Sequence, residues 1–146
     1  MRLTRKVNPS FEPYTAAFTS LLIRVLEGFD LREAVELAGK ELFGEGVSVK
    51  HMVERSGGED PMVACYINSS FPALLFFLYK YADSDAGTVA LANANAGGEN
   101  VARGSLLGAV IGARGKPFPA WCNEGLMHKN EIAAELDAFV EALSVE

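Results

Sequence analysis

Apolar residues recur at a helical period along most of the chain. Between Tyr14 and Gly28 they fall at Phe18, Leu21, Leu22, Val25 and Leu26, a three-and-four spacing that predicts a helix stopped by Gly28. Asp30 has the chemistry of an N-cap for a second helix from Leu31 to Phe43, with Ala34, Val35, Leu37, Ala38 and Leu42 inward and Gly44 and Gly46 as the stop. A short helix from Ser48 to Arg55 comes next. Ser56-Gly57-Gly58-Glu59-Asp60-Pro61 then breaks the period and reads as a loop. Ser70 is read as the cap of a helix from Phe71 to Tyr81, with Pro72 in its first turn. The apolar run Phe71 to Leu78 within it predicts burial. Asp85 to Ala96 and Glu99 to Ala113 are the next two helices, and Pro117 and Pro119 interrupt the chain after them. A last helix, Asn130 to Leu143, has Ile132, Leu136, Phe139, Val140 and Leu143 on one face and glutamates opposite, the pattern of an amphipathic closing helix. No segment alternates as a strand does. The pattern predicts an all-α, compact multi-helix bundle.

Composition adds one constraint. The chain has 146 residues, the size of a single domain, and 49% of them are hydrophobic. A mean hydropathy of +0.13 is apolar for such a chain, so a homo-oligomer or a partner chain is expected to cover an exposed apolar patch. A net charge of −6 excludes nucleic acid as the main partner, because phosphate-backbone binding needs a basic surface. Arg2, Arg5 and Lys6 form only a short basic start, and no signal-type apolar run comes after them. No apolar run approaches the roughly 20 residues that span a bilayer. The expectation is a cytoplasmic protein without membrane contact, in which Cys65 and Cys122 are buried free thiols. His51 and His128 are isolated from one another and from the cysteines, so no zinc-type ligand cluster is expected. Acidic Glu59-Asp60 and Asp83-Ser84-Asp85 read as solvated turns.

The stretch Gly97-Gly98-Glu99-Asn100-Val101-Ala102-Arg103-Gly104 is the most informative in the chain. Paired glycines before a polar residue suit a tight turn into a helix, since glycine accepts positive φ and close backbone approach. The first N–H groups of such a helix attract anions. Gly104, Gly108 and Gly112 recur every fourth residue and leave one helix face nearly bare. Glu99 and Arg103 stand four apart in the favoured order for a helical ion pair. Arg103 with the Gly97-Gly98 turn is a candidate phosphate or carboxylate site that needs no metal.

This stretch, with Asn93 or Asn95 before it and Gly108, Ala109, Gly112 and Ala113 after it, resembles the ADP-ribosylglycohydrolase family, whose last core helix opens with Asn-x-x-Gly-Gly-Asp-Thr-Asp-Thr. Tyr66-Ile67-Asn68-Ser69-Ser70-Phe71-Pro72-Ala73-Leu74 is similar to the family's segment before the preceding core helix, where a Ser-x-Pro-x-Ala pattern is common, and Gly115 to Trp121 to its Gly-x-x-x-Ile-Pro-x-x-Trp exit. The resemblance spans residues 60 to 125 and implies an all-α bundle like the C-terminal half of that fold. Family members are about twice as long, which implies either self-association or a complementary N-terminal-half chain. It further implies a hydrolase of ADP-ribosyl bonds using magnesium ions held by aspartates. Here Glu99 stands at the first aspartate as a weak metal ligand, Asn100 at the threonine and Val101 at the second aspartate, and no Thr-Asp-Asp cluster occurs. A side chain without a lone pair cannot ligate magnesium, whose octahedral contacts of about 2.0–2.1 Å tolerate little change. A catalytically degenerate or partner-dependent protein is therefore implied, with magnesium only if another chain completes the site. Gly97, Gly98, Glu99, Asn100 and Arg103 are the candidate ligand contacts. Tyr66 and Ser70 join them because Tyr66 and Phe71 lie beside the segment bordering the family's nucleoside pocket. The alternatives are core packing for the two aromatic residues and, for the whole chain, a helical assembly domain without ligand.

Overall fold

A computed structural model describes residues 9–144, and among these residues there are eight α-helices, one short 3-10 turn at Pro9–Phe11 and no strand. The basic residues Arg2, Arg5 and Lys6 lie outside the described residues. Helix α1 (Glu12–Leu26) takes Pro13 in its first turn, where a missing N–H costs nothing. It stops at Leu26, two residues short of Gly28, whose φ of +88° turns the chain toward the next helix. Helix α2 (Leu31–Phe43) starts where its pattern predicts, with the Asp30 carboxylate accepting the Glu33 N–H at 3.1 Å. Helix α3 (Val49–Arg55) is capped twice. Ser48 Oγ accepts the His51 N–H at 3.3 Å, and Glu36 of α2 accepts the N–H groups of Val49 and Lys50 at 3.3 and 2.5 Å. A carboxylate at the positive end of α3 thus ties two helices together.

Helix α4 (Ile67–Lys80) is the centre of the molecule. Phe71 and the run from Ala73 to Leu78 are all buried, packed by α2, α3 and α6. It begins four residues earlier than the apolar pattern suggests, so Ser70 is not its cap; the Ser70 N–H instead donates to Tyr66 O at 2.8 Å as part of the helix. Pro72 sits inside α4, where it cannot donate to the carbonyl of Asn68, an exposed residue of the first turn. Leu21 of α1, Val35 of α2, Val49 of α3, Leu75 and Phe77 of α4, and Val110 further on complete one continuous core. At Gly39 a Cβ would stand 3.0 Å from Val49 Cγ2, so the α2–α3 contact is as close as a bare glycine permits.

Helix α5 (Ala86–Ala96) is capped by Asp85, which accepts the Thr88 N–H at 2.9 Å, and pairs with α6 (Asn100–Ala113) across the Gly97-Gly98 turn. A short helix α7 (Ala120–Glu124), which the proline-broken pattern conceals, precedes α8 (Lys129–Leu143). The closing-helix expectation for α8 is overturned: every residue from Asn123 to Ser144 is exposed, and none of α8 is buried. Amphipathic periodicity reports that a face is apolar, not what covers it. Burial of both thiols is overturned as well. Cys65 is exposed and Cys122 half-buried, both free, because each lies in a segment whose apolar sequence neighbours do not form core. Asp60 also departs from its solvated-turn reading: it accepts Lys80 Nζ at 2.5 Å and the Tyr81 hydroxyl at 2.8 Å, pinning the loop to the end of α4. Asp83 remains exposed and pairs with Arg32 at 2.7 Å. Among the described residues no helix is long and apolar enough to cross a membrane.

Arg24 of α1 donates to Glu41 of α2, and this hydrogen bond holds the Glu41 carboxyl below its usual range. A depressed folded-state pKa stabilises the fold fully above the unfolded value and loses that contribution as pH falls through the folded one. Urea midpoints measured from pH 6 downward are expected to fall less steeply for Glu41→Gln than for the parent chain, with the two curves converging at the acid end.

Candidate functional site

The Gly97-Gly98 turn has the geometry its glycines foretell. Gly97 and Gly98 adopt φ of +68° and +63°, and a Cβ on Gly98 would lie 2.3 Å from Val63 O. The backbone of Val63 occupies that space, and its carbonyl accepts the Glu99 N–H at 2.8 Å. The Asn100 N–H donates to Gly98 O at 2.9 Å. Glu99 is the N-cap of α6, its carboxylate accepting the Ala102 N–H at 3.2 Å. The amides that a free helix start offers an anion are thus engaged within the chain at Glu99, Asn100 and Ala102.

Arg103 is only 2% exposed and is among the largest fully buried side chains. Its Nε donates to Asn93 Oδ1 at 2.6 Å, and its Nη2 to the carbonyls of Asn93 and Gly97 at 3.3 and 3.1 Å. The guanidinium lies over the Phe77 ring, 4.6 Å from its centroid, and Phe77 stacks in turn on Tyr81. Asn93 uses its remaining end as well, donating Nδ2 to Asn100 O at 2.8 Å. Asn93, which the sequence marks only as a motif match, is therefore the residue that organises this site. Its signal is its position: a wide amide within a helix whose other residues are mostly small or aliphatic.

The Glu99–Arg103 ion pair expected from their spacing does not form. Arg103 turns inward toward Asn93 and Glu99 turns back to cap its own helix, so the two groups are not within salt-bridge distance. Burial pushes the guanidinium pKa down, against the opposing pull of Glu99 and Asp60. Its Nη1 is buried with no hydrogen-bond partner. The motif brings Gly97, Gly98, Glu99, Asn100 and Arg103 into one turn, but among the described residues no hydrogen bond joins Tyr66 or Ser70 to it; both bond within the first turn of α4. Tyr66 is exposed, while Phe71 is buried against the Tyr14 ring at 5.5 Å, the packing alternative for that aromatic. Val101, at the family's second aspartate, is 82% exposed. Among the described residues no group of three or more histidine, cysteine or acidic side chains is placed to hold a metal ion.

Asn93→Leu is expected to destabilise the fold by about 1.5–3 kcal/mol, the range for hydrogen bonds to a charged group. Adding Arg103→Met is expected to recover part of that loss, because the stranded buried charge disappears with its partner. A double-mutant cycle in urea measures both.

No protein-family model matches this chain, and no curated protein or solved structure matches it either.

Proposed function

We propose that this chain is a helical assembly domain that associates with protein through the apolar face of α8. The observation that carries the reading is the exposure of that face: Leu136 is 58% and Phe139 61% accessible, and Ile132, Val140 and Leu143 lie open beside them. Burying such side chains is worth about 1.5–3 kcal/mol each, and a helix of 15 residues is marginal in water without packing. Trp121, Leu126 and Met127 extend the apolar surface toward the start of α8. The four carboxylates of α8, Glu131, Glu135, Asp137 and Glu141, against the single ammonium of Lys129 favour a partner surface free of acidic groups. Light scattering on the purified protein is expected to give a mass above the 15.7 kDa of one chain. Leu136→Glu/Phe139→Glu is expected to return it to one folded chain, with a urea midpoint that, unlike the parent's, does not rise with protein concentration. A single chain at every concentration, or an assembly indifferent to both substitutions, overturns the reading.

A second reading rests on the partnerless Nη1 of Arg103 beside the Gly97-Gly98 turn. That nitrogen is buried, so a ligand reaches it only when the Gly97-Gly98 turn opens; a guanidinium exposed in that way suits a diphosphate, and the resemblance to ADP-ribosylglycohydrolases names ADP-ribose as the probe. Isothermal titration is expected to give magnesium-independent binding that Arg103→Met abolishes; no heat with the folded parent chain removes this reading. Magnesium-dependent binding would point instead to a metal site completed by a second chain.

A further inference from the structure

We infer that Asp60 occupies, as a built-in anion, a phosphate site whose donors are the Lys80 ammonium and the Tyr81 hydroxyl, and that a phosphate monoester taking its place lifts residues 57–63 off the Gly97-Gly98 turn. The inference deepens the second reading above, on which it rests for the role of Arg103, by adding two donors and naming what closes the way to the guanidinium. Asp60 Oδ1 accepts Lys80 Nζ at 2.5 Å, and Oδ2 accepts the Tyr81 hydroxyl at 2.8 Å. Both oxygens are thus taken, and the bonds of Arg103 go elsewhere. Asp60 is nonetheless near enough that its charge, with that of Glu99, opposes the burial that drives the guanidinium pKa down. Aromatic rings of α4 connect the three donors. Lys80 Nζ stands 5.7 and 5.1 Å from the ring centroids of Phe76 and Tyr81, Tyr81 stacks on Phe77, and Phe77 carries Arg103. Among the described residues Arg103 Nη1 has no partner. A carboxylate has two oxygens for these three groups, whereas a phosphate monoester has three.

What Asp60 holds in place is the strap ahead of α4. It starts at the exposed Gly57 and Gly58, where a Cβ would meet nothing within 4 Å, and Lys80 Nζ ties it a second time through Gly58 O at 2.6 Å. At its other end Met62 Sδ lies 3.8 Å from a built Cβ on Gly97, and Val63 O accepts the Glu99 N–H at 2.8 Å. Lys80 therefore fastens one end of a segment whose other end packs on the turn that binds Arg103. Asp60 and Met62 also line an open cavity of about 570 Å³ together with Met52, Pro72, Ala73 and Phe76, large enough for the body of a small ester. Glu59, the other carboxylate on that cavity, belongs to the same strap and leaves with Asp60. A phosphate competes here with a tethered carboxylate, so its affinity for the parent chain is reduced to the fraction of molecules whose strap is open.

The test is isothermal titration of the full chain with inorganic phosphate and with phenyl phosphate. Asp60→Ala is expected to bind inorganic phosphate about tenfold tighter than the parent chain does, and phenyl phosphate tighter still. Adding Lys80→Met to Asp60→Ala is expected to abolish binding. In the parent chain, saturating phosphate is expected to speed hydrogen exchange of the Glu99 amide and leave that of Phe77 unchanged. Circular dichroism and urea midpoints show which variants fold, and Asp60→Asn, which removes the charge at constant size, replaces Asp60→Ala if that chain does not. No heat from a folded Asp60 variant, or equal affinity of variant and parent, overturns the site. Unchanged exchange at Glu99 overturns the lifting of the strap, and equal affinity for the two anions overturns the cavity as the seat of the ester. Binding that survives Lys80→Met and is lost with Arg103→Met overturns the site and spares the second reading. The reverse pattern keeps the site on Lys80 and Tyr81 and removes the second reading.

Discussion

The buried guanidinium of Arg103 fixes the arrangement on which the rest of the molecule depends. It rises from α6, lies on the Phe77 ring of the central helix α4, and is gripped by the side chain and carbonyl of Asn93 on α5 and by the carbonyl of Gly97 in the turn between them. One cation therefore sets the position of three helices. A buried charge of this kind is held by geometry rather than by net attraction, because desolvation offsets most of what the hydrogen bonds return. Its directional bonds specify one register for the α5–α6 pair, which the small, smooth surfaces of Ala90, Ala94, Gly104 and Gly108 could not do alone. The same turn reaches the loop before α4 through Val63, so the glycines, the arginine and the central helix form one connected unit.

That unit explains how much of the fold was legible in the sequence. Helix α2 was readable at both ends because its stops are local: the Asp30 carboxylate and the positive-φ Gly44 act within a few residues of the bonds they make. The start of α4 was not, because Ile67 to Ser70 carry no apolar period and join the helix through the tertiary packing of Phe71 to Leu78. Helix α7 was hidden for a related reason, being little more than a single turn after two prolines. For α8 the element was legible and its placement was not, since periodicity fixes a face without naming its neighbour.

The candidate site divides along the same line. The turn at Gly97-Gly98 was legible because a Cβ clash and two positive φ values favour glycine there above any other residue. The inward swing of Arg103 was illegible, because spacing relates Arg103 to Glu99 while the deciding partner, Asn93, is ten residues back on another helix. Where an intrahelical pair and an interhelical clamp compete for one arginine, the clamp offers three hydrogen bonds and an aromatic face against a single solvent-screened contact worth a few tenths of a kcal/mol.

The clamp also shapes the outer surface of α5 and α6. By drawing the only arginine of α6 into the interior, Asn93 strips the outer surface of α5 and α6 of positive charge along its length, and leaves cations only past its end at Arg114 and Lys116. What the clamp leaves outside on these two helices is a small, uncharged surface of Ala94, Ser105 and Ala109. Internal order and the uncharged outer surface of α5 and α6 thus trace back to one residue choice. An arginine that stayed outside would have solvated the face that its burial leaves apolar.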